Sequence, residues 1–99
     1  MSIPELVKAR VSQFDQNAEA ILFGSRAKGT ARKESDWDFL ILMSQPINYK
    51  VEDQIRDELY EIELEQREII SSIVESSEEW ENYAITALYK NIKREGVKV

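Results

Sequence analysis

Residues 24–38, GSRAKGTARKESDWD, are the stretch that decides the expected fold of this chain. The stretch opens with a Gly-Ser pair and closes with two aspartates, Asp36 and Asp38, and ten residues separate the serine from the first aspartate. Apolar runs flank it at 20–23 and 39–43. Because both motifs lie in one polar loop between two strand-like runs, we expect them to meet at one edge of a sheet.

The first motif has the properties of a phosphate-binding turn. Gly24 lets the backbone leave a strand in a conformation closed to other residues, and it lets phosphate oxygens approach closely. Ser25 is expected to cap a short helix over 26–28, whose free amides suit an anion. Cations surround the turn, namely Arg26, Lys28, Arg32 and Lys33. We therefore predict that Gly24, Ser25, Arg26 and Lys28 bind the phosphates of a nucleotide.

The second motif has the properties of a hard-metal site. Asp36 and Asp38 are two residues apart at the start of a strand, so both side chains project from one face. Two such carboxylates repel each other unless a cation lies between them, and oxygen ligands suit Mg²⁺ or Mn²⁺. A phosphate turn beside such a metal predicts phosphoryl or nucleotidyl transfer, with both aspartates catalytic. The alternative is a basic surface loop followed by a solvated acidic turn.

Composition limits the classes of protein and of chemistry. Ninety-nine residues, 42% apolar and 32% charged, predict one globular domain over 1–99. The absence of Cys and His excludes disulfides, cysteine-ligated zinc, and nucleophiles that depend on thiolate or imidazole. No apolar run approaches the roughly 20 residues that span a bilayer. We also recognise no secretory signal, so we expect a cytoplasmic protein without membrane contact.

The net charge of −6 is concentrated in the middle of the chain. Residues 52–81 carry twelve acidic and two basic side chains. Proteins that bind nucleic acid present a dominant basic surface, so we expect no direct nucleic acid binding. The acidic segment is either the solvated face of a helix or a surface for a basic partner.

Periodicity and capping signals predict alternating helices and strands. Ser2 and Glu5 form an expected capping box, and Tyr60 and Leu64 are expected to widen the apolar side of the third helix. The predicted elements are a helix at 3–14, a strand at 18–23, a short helix within 24–35, a strand at 36–43, a helix at 50–65, a strand at 68–74, a helix at 80–94 and an edge strand at 97–99. This order predicts an α/β (α+β) fold with a small mixed sheet and helices largely on one face.

The spacing Gly-Ser, ten residues, Asp-x-Asp resembles the signature of the DNA polymerase β-type nucleotidyltransferases. More narrowly, the chain resembles the minimal nucleotidyltransferases, which are of similar size. The resemblance implies a nucleotidyltransferase palm that binds a nucleoside triphosphate, with ATP the expected one. Gly24 and Ser25 match the triphosphate-binding pair of the family. Asp36 and Asp38 match its first two metal-binding carboxylates.

The family uses a third carboxylate, on a later strand, to bind metal and activate the attacking hydroxyl. Here the predicted strand 68–74 contains Ser71-Ser72 instead, while Glu68 and Glu75 flank its ends. The sequence therefore supports nucleotide and metal binding better than turnover. Three alternatives remain. The chain is an enzyme that uses Glu68, Glu75 or a partner's residue or tolerates the missing ligand, a nucleotide-binding protein with weak or no catalysis, or a pure interaction protein.

The resemblance also implies a partner protein. Minimal nucleotidyltransferases commonly pair with a helical HEPN-type toxin, and they act as the antitoxin, sometimes by transferring AMP to a toxin tyrosine. We expect such a complex because the chain is too short for a second substrate-binding domain. A monomer or a homo-oligomer is the alternative.

Overall fold

The computed structural model describes residues 1–99, and its helices and strands follow the predicted order as far as the third strand. The helices are α1 Ile3–Ser12, α2 Ser25–Lys28, α3 Tyr49–Gln66, α4 Ser77–Trp80 and α5 Ala87–Glu95, with a 3₁₀ turn at Glu81–Tyr83. The strands are β1 Glu19–Phe23, β2 Trp37–Met43, β3 Ile70–Ser76 and β4 Val97–Lys98. None of the helices is both long and apolar enough to cross a membrane.

The four strands form one mixed sheet in the order β3-β2-β1-β4. β2 is internal, antiparallel to β1 and parallel to β3, while the short β4 pairs antiparallel with the other side of β1. The prediction of a mixed α/β fold is confirmed. The nearly continuous apolar run of β2 is explained by its place in the sheet, because residues 39–43 are buried on both faces.

Each face of the sheet has its own apolar core. On one face, α1 and α3 pack against Phe39, Ile41 and Met43 of β2. On the other, Leu40 and Leu42 of β2 pack against a smaller cluster of Trp80, Tyr89 and Ile92 from α4 and α5. The expectation that helices lie largely on one face thus holds for the two longest helices, while the short C-terminal helices cover the opposite face.

The prediction of one continuous helix over 80–94 is wrong. The chain forms α4 and a 3₁₀ turn, and α5 begins after Thr86, whose hydroxyl accepts a hydrogen bond from the Tyr89 amide at 3.2 Å. The same hydroxyl donates to the Tyr83 carbonyl at 2.7 Å. These local bonds compete with a continuous helical ladder. The break leaves Ile85 88% exposed.

Two predictions around α3 and β3 are also corrected. Tyr60 and Leu64 do not extend the apolar face of α3, since they are 58% and 61% exposed. The strand predicted at 68–74 starts two residues later, because α3 ends at Arg67 in a left-handed conformation (φ 56°) and the chain turns before it enters the sheet. The strand also ends two residues later than predicted, at Ser76, so Glu75 lies within β3 rather than beyond its end.

Candidate functional site

Gly24 makes the turn between β1 and α2. Its φ of 74° and ψ of −158° lie in a region essentially restricted to glycine. Its carbonyl accepts hydrogen bonds from the amides of Ala27 at 3.1 Å and Lys28 at 3.2 Å, so Gly24 is itself the N-cap. The expectation that Ser25 caps the helix is wrong, because Ser25 already has helical geometry.

The turn touches one of the two aspartates. Phe23 is opposite Asp38 in the β1–β2 ladder, which brings the next residue, Gly24, against the Asp38 side chain. A Cβ at position 24 would overlap Asp38 Oδ2. Two motifs that are fourteen residues apart in sequence are therefore in direct contact. Gly24 is required here for its dihedral angles, and a Cβ at this position would also displace the Asp38 carboxylate.

The aspartates face a serine of the neighbouring strand. Asp38 is paired with Ser71 in the parallel β2–β3 register, and the Ser71 hydroxyl donates to Asp36 Oδ2 at 3.3 Å. Asp36 is exposed and Asp38 is half-buried. The prediction that a serine, rather than a carboxylate, lies beside this pair is confirmed by the strand register.

The two nearby glutamates have other contacts. Glu75 is opposite Leu42, four positions further along the ladder than Asp38, and its carboxylate accepts a hydrogen bond from the Tyr83 hydroxyl at 3.4 Å. Glu68 lies 3.8 Å from the Arg26 guanidinium. Within residues 1–99 no group of three or more acidic side chains is arranged to hold a metal ion. The arrangement offers two carboxylates, which suits a hard cation that completes its shell with water and phosphate.

Burial and the Asp36 carboxylate together raise the pKa of Asp38, with burial the larger cause. A carboxyl whose pKa is higher in the folded than in the unfolded state holds its proton more readily when folded. The free energy of unfolding then falls as pH rises from the unfolded pKa, about 3.9, through the raised folded pKa, and it stays lower above that interval.

We therefore expect Asp38→Asn to stabilise the metal-free protein modestly at neutral pH. The gain should shrink towards about pH 4, where both states of the wild type take up the proton. Urea denaturation across this pH range in the presence of a chelator measures it. Asp57→Asn on the exposed side of α3 is the matched control. A variant that is less stable than wild type at neutral pH would contradict the expectation.

The cations around the turn have distinct contacts. The Arg26 guanidinium lies over the Trp37 ring, 4.4 Å from its centroid, and donates to the carbonyls of Ser35 at 2.9 Å and Lys33 at 3.2 Å. These contacts tie the loop 29–36 to α2. Lys28 Nζ instead lies 3.3 Å from Glu95 Oε2 in the last turn of α5. Arg26 is thus engaged with the loop, while Lys28 faces α5.

A cavity of about 140 Å³ separates the Gly24 turn from α5. It is lined by Phe23, Gly24, Lys28, Leu88, Asn91, Ile92 and Glu95. Its volume is below the range of about 300–1,000 Å³ that is usual for drug-sized ligands. It is therefore too small to enclose a whole drug-sized ligand.

Sequence reasoning missed the contribution of α5 to this region. Leu88, Asn91 and Glu95 lie more than sixty residues after the Gly-Ser turn, and no local motif marks them. Their spacing of three and four residues places them on one side of a helix. That spacing also fits an ordinary amphipathic helix, so only the tertiary structure reveals that this side of α5 faces the Gly24 turn.

Comparisons with known proteins agree with this architecture. The sequence matches the family described as Nucleotidyltransferase domain over residues 3–99. A relative from Haemophilus influenzae, named "Probable protein adenylyltransferase MntA", is 32% identical over 59 residues, which cover 60% of this chain and 52% of the relative. The aligned part is thus about half the length of that curated relative.

A solved structure shares the fold. It is described as "Crystal structure of the toxin-antitoxin with AMP-PNP", and it superposes with a TM-score of 0.59 at 14% identity, covering 92% of this chain and 70% of the other. This likeness supports the mixed-sheet fold. Since the family match extends over nearly the whole sequence and includes the Gly24 turn and the two aspartates, the chain belongs to the nucleotidyltransferase domain family.

Proposed function

We propose that this domain binds Mg²⁺-ATP and transfers AMP to a hydroxyl of a partner protein. The contact between Gly24 and the Asp38 carboxylate is the observation that carries the proposal. It puts a backbone turn suited to phosphate directly against a pair of carboxylates suited to a divalent cation. Phosphate and metal would then share one small region, as nucleotidyl transfer requires.

Asp36 and Asp38 would hold Mg²⁺ or Mn²⁺ through their carboxylate oxygens. The bound cation would neutralise charge on the phosphates and on the leaving pyrophosphate. The Ser25 hydroxyl and the amides at the start of α2 would bind the β and γ phosphates, and Lys28 would supply a positive charge. Arg26 would support this turn indirectly, through its contacts with the loop carbonyls and Trp37.

In the proposed reaction the acceptor oxygen attacks the α-phosphorus of ATP. A new bond joins that oxygen to phosphorus, the bond to the β-phosphate oxygen breaks, and pyrophosphate leaves. The hydroxyl proton must be taken up by a base or by solvent. Ser71 lies where a base on β3 would be useful, but a serine hydroxyl is a poor proton acceptor. We therefore expect slow transfer from this chain alone.

The partner would dock near the exposed residues at the break before α5. Ile85 is 88%, Leu88 45% and Tyr83 43% exposed, and Leu88 also lines the cavity beside Gly24. Exposed apolar side chains of this size suit a protein interface. The likeness to a toxin–antitoxin structure and to a relative named as a protein adenylyltransferase supports a toxin partner, and we propose the HEPN type.

A second candidate function is inhibition of the partner by binding alone. The Ser71 position favours it, because the strand register puts a serine beside the two aspartates and no third carboxylate completes the cluster. Nucleotide binding would then remain, while AMP transfer would be lost.

Calorimetry and intact mass measurement separate these functions. We expect ATP to bind in the presence of Mg²⁺ and to bind much more weakly in a chelator. The partner that co-purifies from the native cell should gain the mass of one AMP when it is incubated with the protein and Mg²⁺-ATP. A tight partner with unchanged mass supports inhibition by binding. Absence of ATP binding at millimolar nucleotide overturns the nucleotidyltransferase proposal.

A further inference from the structure

Lys28 is already paired with a carboxylate beside the candidate site. Its Nζ lies 3.3 Å from Glu95 Oε2, and both side chains line the cavity beside Gly24. The pair joins the short helix after the phosphate turn to the last turn of α5. A phosphate that used Lys28 would compete with Glu95 for the same ammonium group.

We propose that Glu95 competes with the nucleotide phosphates for Lys28 and stays paired with Lys28 until phosphate displaces it. This inference rests on the proposed nucleotide binding and adds a residue that sets its affinity. The Glu95 carboxylate and a phosphate group are both anions with oxygen acceptors, so either of them can pair with Lys28. A polyphosphate carries more negative charge than one carboxylate, so it can displace Glu95 from Lys28. Its affinity for the protein is then lower than it would be if Glu95 were absent.

The surroundings of Glu95 make the exchange feasible. Arg94 lies 3.3 Å from its other oxygen, Oε1, so Glu95 keeps a positive partner after Lys28 leaves. Lys28 and Arg94 together hold the pKa of Glu95 below its ordinary value, with Lys28 the larger cause, so the carboxylate is charged at neutral pH. The Lys28 side chain is 50% exposed, which lets it move without leaving a buried charge unpaired.

The experiment compares nucleotide affinity in a double-mutant cycle. We expect Glu95→Gln to tighten Mg²⁺-ATP binding by about two- to fivefold, the range for removing one partly exposed ion pair. Inorganic tripolyphosphate should show the same gain, since the competition is for phosphate. In the Lys28→Met background the gain from Glu95→Gln should disappear, because there is no cation left to release.

Glu19→Gln is the matched control. Glu19 pairs with Lys98 at 3.4 Å at the opposite end of β1, so this change also removes one negative charge and one surface ion pair. Equal affinities for the Glu95 and Glu19 variants would overturn the inference, as would a gain that persists without Lys28. Weaker binding by Glu95→Gln would overturn it as well, by giving Glu95 a direct role in holding the ligand.

The same titrations distinguish the inference from the function on which it rests. If wild type binds Mg²⁺-ATP and Glu95→Gln binds it equally well, only the competitor role fails. If neither the wild type nor any variant binds nucleotide or tripolyphosphate, the proposed function fails and the competitor role fails with it. Binding by Glu95→Gln alone would support both.

Discussion

Gly24→Ala is expected to destabilise the protein and to remove nucleotide binding together. The backbone at this position has φ 74° and ψ −158°, and the new Cβ would overlap Asp38 Oδ2. Holding a residue with a Cβ in such a region costs on the order of 1–3 kcal/mol, and we expect a loss of this size in the free energy of unfolding. The Asp38 carboxylate would have to move away from the new Cβ, which disturbs the proposed metal site. Urea denaturation measures the loss of stability.

Gly29→Ala is the control for a positive-φ glycine that does not contact Asp38. Gly29 also has a positive φ, 76°, but a Cβ there would meet no atom within 4 Å. The change should cost only about 1–2 kcal/mol, and it should leave Mg²⁺-ATP affinity nearly unchanged. If the two alanine variants lose stability and affinity equally, the contact between the turn and Asp38 has no particular importance.

Asp36→Asn combined with Asp38→Asn is expected to abolish metal-dependent ATP binding while the protein stays folded. Loss of groups that merely support metal ligands lowers affinity by about 10–100-fold, so loss of both ligands should cost more than about 100-fold. Calorimetry with Mg²⁺ measures the effect. Circular dichroism verifies the fold, which should persist because the changes remove a partly buried charge at Asp38 and its repulsion with Asp36.

The control for this variant changes two aspartates of α3. Asp53 and Asp57 are both exposed, so Asp53→Asn with Asp57→Asn gives the same change of net charge away from the candidate site. Its Mg²⁺-ATP affinity should remain close to that of wild type. Nucleotide binding that survives the Asp36 and Asp38 changes would rule out these two residues as the metal ligands.

Local sequence signals predicted those parts of the fold that local interactions determine. Ser2 and Glu5 form the expected capping box at the start of α1. The apolar run after Asp38 predicted an internal strand, and β2 has that position because both faces of the sheet need apolar side chains there. The contact between Gly24 and Asp38 agrees with the expectation that the two motifs meet at one edge of the sheet.

Other features depend on competing hydrogen bonds or on contacts between residues that are distant in sequence. The apolar spacing of 80–94 suited one helix, but the Thr86 hydroxyl caps a new helix and gives the chain a second set of hydrogen bonds. Arg26 was predicted to bind phosphate because it lies near the turn in sequence, whereas its contacts to Ser35 and Trp37 depend on how the loop folds back. The Lys28–Glu95 pair likewise requires the packing of α5 and has no sequence signature.

Trp37 gives the candidate site an intrinsic optical probe. It is the residue between Asp36 and Asp38, and its ring packs towards the core on the opposite face of the sheet, beneath the Arg26 guanidinium. The chain has one other indole, Trp80, which is stacked on Tyr89 in the second core. In a Trp80→Phe background the remaining indole emission would come from the backbone segment that carries both carboxylates. The arrival of a cation could then be followed by fluorescence without a chemical label.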